Sequence, residues 1–160
     1  MSAQAATVTL ERVVPDFTLP ASGGGAWRLR AARGKALVLY FYPRDSTPGC
    51  TLEGQNFQRL LPALRRAGAQ VCGISRDSVS AHDKFCSKYG FEFPLLADVD
   101  ASVCKLFDVI RMKNMYGRKV LGIERSTFLI DAAGTLRREW RKVKVTGHAD
   151  EVLEAVKALP

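Results

Sequence analysis

At 160 residues, 47% hydrophobic and 25% charged, the chain has the length and composition of one globular domain, 1–160, with a core of its own. No apolar run approaches the ~18 residues that a membrane-spanning helix needs, and MSAQAATVTLERVVPDF lacks the basic start and apolar stretch of a secretion signal, so a cytoplasmic protein without a membrane partner is expected. The net charge of +8 is concentrated between Lys105 and Lys144, where eleven Lys or Arg face four acids, but the segment carries no recognisable nucleic-acid reading motif; this favours a solvated basic face over a nucleic-acid site.

In chain order, Val14–Leu19 and Trp27–Leu29 flank the glycine-rich SGGG of 22–25, the pattern of a β-hairpin with a loose loop. ALVLYFY, residues 36–42, is a continuous β-rich apolar run, as in a strand buried on both faces of a sheet. After the polar turn PRDSTPGC a helix is expected, with Thr47 as N-cap and Pro48 as its first residue. Phe57, Leu60, Leu61 and Leu64 give it an apolar face, Pro62 should kink it, and Gly68 closes it. QVCGIS, 70–75, reads as a second buried strand with Cys72 in the core.

A helix capped by Ser78 or Ser80 runs to about Tyr89 and ends at Gly90. A short helix around 101–107 buries Cys104 beside Phe107. STFLID, 126–131, and Thr135–Trp140 form a hairpin across Ala132–Gly134, and 149–159 an amphipathic helix with Val152, Leu153, Val156 and Leu159 inward. Alternating strands and helices followed by a late hairpin and helix describe an α/β fold, a central mixed β-sheet flanked by helices.

The four cysteines, at 50, 72, 86 and 104, include no C-x-x-C pair, and in a reducing compartment they are free thiols. His82 and Cys86 would supply only two zinc ligands, so no metal and no other cofactor is expected. Cys50 stands out. With Thr47 as cap it falls in the first helical turn, where unpaired N–H groups and the helix dipole favour an anion by about 0.3–2 kcal/mol. Pro48 and Gly49 keep the surface before it small, and Thr47, three residues back, can point its hydroxyl to the same pocket. A reactive thiolate requires a second positive contribution. Spacing alone leaves reactive and inert readings of Cys50 equally open.

FYPRDSTPGCTLE, 41–53, resembles the active-site segment of peroxiredoxins, whose pattern is P-x-x-x-T-x-x-C, and is most similar to the Q-type or bacterioferritin comigratory protein branch. The likeness extends to VVPDFTLP, to GISRDSVSAHDKF at 73–85 and to RSTFLID at 125–131, nearly the whole chain. The resemblance implies a thioredoxin-like fold and an enzyme that reduces hydrogen peroxide and organic hydroperoxides. It makes Cys50 the peroxidatic cysteine, Pro43 the shield of the pocket and Thr47 a hydrogen-bond partner of thiolate and peroxide. Arg125 becomes the active-site arginine, the missing positive charge. Glu53, one turn after Cys50, either orients that arginine or is only a good helix former.

Attack on peroxide leaves a sulfenic acid that condenses with a second thiol. Many Q-type members carry that thiol five residues after the first, where this chain has Gln55; another branch places it in a later helix, a position that Cys86 fits. Its rivals are Cys72, Cys104 or an external thiol. A bridge from Cys50 to Cys86 should require the first turn of the Cys50 helix to unwind. The family's reductant is thioredoxin, with glutaredoxin as the other candidate, and its Q-type members are often monomers. A peroxide-sensing redox relay is the competing class of function.

Overall fold

The structure, a computed structural model, describes residues 7–160 and their side chains, that of Met115 excepted. The first six residues, part of the start read for a secretion signal, lie outside the described residues. Among the described residues no helix is long and apolar enough to cross a membrane.

The apolar run becomes β3, Ala36–Phe41, with all six residues buried. It lies at the centre of a five-stranded sheet. On one side it pairs in parallel with β4, Ala69–Ser75, which pairs in parallel with β5, Leu95–Ala97; on the other it pairs antiparallel with β8, Ser126–Ile130, which is followed by β9, Leu136–Trp140. This mixed sheet is the thioredoxin-like arrangement that the resemblance implies.

Each face of β3 feeds its own core, which is why the sequence shows no polar alternation. Leu37, Leu39 and Phe41 pack with Cys72, Ile74, Phe107 and Phe128. Val38 and Tyr40 face Phe57, Leu61 and Leu64 of helix α1, Pro48–Arg66, together with Phe85 of α2, Val79–Tyr89, and Val152 and Val156 of α4, His148–Lys157. Burying each such side chain contributes about 1.5–3 kcal/mol.

Pro48 opens α1 as expected, and Thr47 is its N-cap residue by backbone geometry. The helix carries on through Pro62 to Arg66. Pro62 faces solvent while Leu61 and Leu64 beside it are buried, so packing on those neighbours outweighs the lost hydrogen bond. Ser78 caps α2 by accepting a hydrogen bond from the Ala81 N–H, and Gly90 ends it in the left-handed conformation. Residues 102–106 form the short α3, with Cys104 and Phe107 fully buried.

The N-terminal hairpin is present but short, β1 at Thr18–Pro20 and β2 at Ala26–Arg28. A second two-stranded unit, β6 at Ile110–Met115 and β7 at Arg118–Ile123, stands apart from the main sheet and was not anticipated. In β7 four of the six residues are exposed, so no burial pattern marks it in the sequence.

The register fixes where chemistry can occur. Phe41, the last residue of β3, lies opposite Ser126, the first of β8. The chain leaving β3 toward Cys50 and the residue entering β8, Arg125, therefore meet at one end of the sheet.

Candidate active site

Cys50 sits in the first turn of α1 and is 2% exposed. The helical ladder begins with the Thr51 N–H to the Thr47 carbonyl, so the Cys50 N–H precedes it. Arg125 reaches in from the start of β8: its Nη2 donates to the Cys50 Sγ at 3.4 Å and its Nη1 to Glu53 Oε1 at 2.5 Å. One guanidinium fork thus spans the sulfur and a carboxylate one turn later. Gly49 eases the approach, because a Cβ there would stand 3.2 Å from Arg125 Nη2, a tight contact that would make the guanidinium give way by a few tenths of an ångström. The Arg125 carbonyl accepts the Val143 N–H at 3.0 Å, which fixes the backbone that carries the fork.

The Glu53 side chain is only 2% exposed, and its Oε2 has no hydrogen-bond partner. Burial raises its carboxyl to about 7, against the opposing pull of Arg125. Burial pulls the Arg125 guanidinium down, but the Glu53 and Cys50 charges outweigh it and hold Arg125 above its ordinary range. The two roles considered equally for Glu53 are thus separated by geometry: it orients the arginine.

Thr47 and Pro43 are half-buried on the loop between β3 and α1. The Thr47 hydroxyl donates to the Arg44 carbonyl at 2.9 Å and makes no side-chain cap on the helix. With its hydrogen given to Arg44, Thr47 does not donate to the Cys50 sulfur, contrary to the expectation that it bonds the thiolate; its lone pairs remain as acceptors. Ser46, just before, has φ +62°, a costly conformation for a residue with a side chain, held in this tight turn.

A buried polar chain behind the loop was not foreseen. Tyr42 donates its hydroxyl to Asp45 Oδ1 at 2.5 Å, and His82 Nδ1 lies 2.6 Å from Asp45 Oδ2. His82 Nε2 lies 3.0 Å from the Leu96 carbonyl, which can only accept, so this nitrogen carries a hydrogen. The network ties the loop between β3 and α1 to α2 and β5. It also commits both ring nitrogens of His82, which removes the paired His82–Cys86 ligand considered from sequence. A histidine in register with the buried Phe85 on α2 was the available signal.

The other thiols differ sharply. Cys72 and Cys104 are buried, and desolvation pushes both thiols far above their ordinary range, so they stay protonated at neutral pH. Cys86 is half-buried on α2 and packs at the edge of the apolar cluster that contains Cys50. Its Sγ lies 3.7 Å from Ser22 Oγ on the hairpin loop. All four cysteines are free. The structure therefore joins Cys50, Arg125 and Glu53 directly, carries Thr47 and Pro43 on the loop that leads into the Cys50 helix, and holds Cys86 in a separate contact.

Residues 10–139 match the AhpC/TSA family. The chain is 57% identical over 153 residues to peroxiredoxin Bcp of Xanthomonas campestris, covering 96% of each chain, and 42% identical to peroxiredoxin Bcp of Bacillus subtilis, covering 94% of this chain and 96% of the relative. Among solved structures, a mutant of Xylella fastidiosa PrxQ superposes with a TM-score of 0.90 at 47% identity, over 96% of this chain and 98% of that one. The Xanthomonas campestris bacterioferritin comigratory protein, described for its alkyl peroxide reduction activity, superposes with a TM-score of 0.85 at 58% identity, over 89% and 90%. A thiol held at a helix start by an arginine fork, on this topology and with these likenesses, makes the chain a member of the AhpC/TSA family, a Q-type peroxiredoxin and a thiol peroxidase.

Proposed function

We propose that Cys50 is the peroxidatic residue and that hydrogen peroxide and organic hydroperoxides are its substrates. The observation that carries the assignment is the Arg125 Nη2 3.4 Å from the Cys50 sulfur. The Cys50 thiolate attacks the terminal peroxide oxygen; a sulfur–oxygen bond forms as the O–O bond breaks, and the departing alkoxide or hydroxide takes a proton to leave as alcohol or water. Negative charge moves from sulfur to the leaving oxygen. A donor set fixed in advance stabilises that transition state more than the ground state. Arg125 and the first-turn Cys50 N–H supply the donors, and Thr47, its hydrogen directed to Arg44, accepts from the peroxide O–H. Pro43 shields the pocket and Glu53 holds the arginine.

The resulting sulfenic acid condenses with Cys86, releasing water and forming an intrachain disulfide. The accessibility of Cys86, set against the deep burial of Cys72 and Cys104, supports this choice. The bridge requires the first turn of α1 to leave the pocket, and the lack of a side-chain cap on that turn favours the departure. Thioredoxin, or alternatively glutaredoxin, returns the disulfide to thiols. The protein acts as a single-domain monomer in the cytoplasm, without nucleic acid; Arg111, Arg125, Arg137, Arg138 and Arg141 of the basic segment are engaged by carboxylates.

The test compares Cys50→Ser and Cys86→Ser with wild type, using either a thioredoxin system or dithiothreitol as reductant. Cys50→Ser should be inactive with both, and Cys86→Ser active with dithiothreitol only. Peroxidase activity in Cys50→Ser would overturn the nucleophile assignment; full activity of Cys86→Ser with thioredoxin would replace internal resolution by an external thiol.

A further inference from the structure

The glycine-rich loop of the N-terminal hairpin has so far had no role. Ser22 opens it and is locked to Leu95, the first residue of β5, which pairs with Gly73: its N–H donates to the Leu95 carbonyl at 2.9 Å and its hydroxyl oxygen accepts the Leu95 N–H at 2.9 Å. Three successive glycines, Gly23, Gly24 and Gly25, follow with φ of +81°, +92° and +78°, conformations that residues with a Cβ rarely adopt. The loop is also tied to α2 itself, because the Gly23 N–H donates to Asp83 Oδ1 at 2.8 Å, one turn before Cys86. These bonds leave the Ser22 Oγ 3.7 Å from the Cys86 sulfur with its position already determined.

In the thiol state the Cys86 S–H donates to the Ser22 oxygen, whose other lone pair accepts the Leu95 N–H. Once Cys86 ionises it has no hydrogen to give, and the Ser22 hydroxyl hydrogen turns to the thiolate. We propose that Ser22 is a positioning residue for the second half of the reaction, a preset donor that selectively stabilises the Cys86 thiolate. The inference rests on the reading of Cys86 as the resolving thiol.

The surroundings show why such a donor matters. Burial raises the Cys86 thiol, Ser22 lowers it, and Asp45 from the catalytic loop and Asp83 from α2 raise it further. The buried Tyr40 hydroxyl feels the charge of both Cys50 and Cys86, and Glu92 lines the same cleft as Cys86. Among these groups Ser22 alone favours the thiolate. The thiolate attacks the Cys50 sulfenic sulfur, a sulfur–sulfur bond forms, and the sulfur–oxygen bond breaks as hydroxide leaves and takes a proton. When an external dithiol reduces the bridge, the same donor stabilises Cys86 as leaving group.

The test is the pH profile of Cys86 alkylation by iodoacetamide in the reduced protein, read by peptide mass mapping, for wild type, Ser22→Ala and Ser22→Thr. Ser22→Ala should raise the midpoint by about one pH unit, the worth of a weak charge-assisted hydrogen bond, and Ser22→Thr should restore it. Disulfide formation near pH 7 should slow only about threefold, because a tenfold loss of thiolate is partly offset by the greater nucleophilicity of a more basic sulfur. A loop that merely packs would change the alkylation rate at every pH and leave the midpoint alone, and that outcome overturns the proposal. If wild type forms no Cys50–Cys86 bridge the resolving assignment fails, yet the alkylation midpoint still decides whether Ser22 acts on Cys86.

Discussion

Replacing Glu53 by Gln probes the site's charge arrangement through the pH dependence of stability. Glu53 is buried, bonded to Arg125 through Oε1 and unpartnered at Oε2. Its folded-state value of about 7 lies above the ordinary 4.5, which corresponds to about 3 kcal/mol. Because the folded-state value is the raised one, this contribution to stability is fully present below pH 4.5 and is lost as pH rises through about 7. Gln keeps an acceptor for Arg125 but does not titrate. The stability of wild type relative to Glu53→Gln should therefore fall by about 3 kcal/mol between pH 4.5 and 7.5. Urea unfolding of both proteins at several pH values measures it, and other titrating groups cancel in the difference. A difference that stays flat across that range would refute the reasoning, since Arg125 would then compensate the buried carboxylate completely.

Arg125→Lys keeps the charge but cannot bridge sulfur and carboxylate with one planar fork; kcat/KM should fall by about 10²-fold, measured in a coupled peroxide assay, and a fall below threefold would contradict the donor role. Phe57 is fully buried and stacks on Tyr40 at 4.7 Å, two turns beyond Cys50, so Phe57→Ala should cost about 3–5 kcal/mol in urea unfolding. His148 lies 2.8 Å from the Thr127 hydroxyl, and burial depresses it to about 4. Its contribution is present above pH 6.5 and lost as pH falls through 4, so His148→Gln should flatten the acid limb of the stability profile; an unchanged limb would place its titration elsewhere.

Local signals in the sequence specified elements whose burial is continuous or strictly periodic. The apolar run at 36–42 read as a strand buried on both faces, the helix around Leu61 followed from its apolar spacing, and the helix around Phe85 from its cap residues Ser78 and Gly90. Leu95–Ala97 is too short to register as a strand, and it forms because Gly73, Ile74 and Ser75 offer an open edge. The β6–β7 hairpin carries Met112 and Leu121 exposed and opposite one another, so it lacked an alternation to detect. At the site, the turn, the cysteine and the arginine were marked by local motifs. The pairing of Glu53 with Arg125 spans 72 residues and that of Asp45 with His82 spans 37. Such contacts depend on the register that sets Phe41 against Ser126, which no local pattern displays.

The central claim concerns which sulfur meets peroxide and which answers it. One equivalent of hydrogen peroxide added to the fully reduced protein, followed by thiol trapping and non-reducing peptide mapping, reads both directly. A Cys50–Cys86 peptide within one chain is the expected product. Oxidation that spares Cys50 while another cysteine is consumed would contradict the account, and a persistent Cys50 sulfenic acid would keep the peroxidase and transfer resolution to an external thiol.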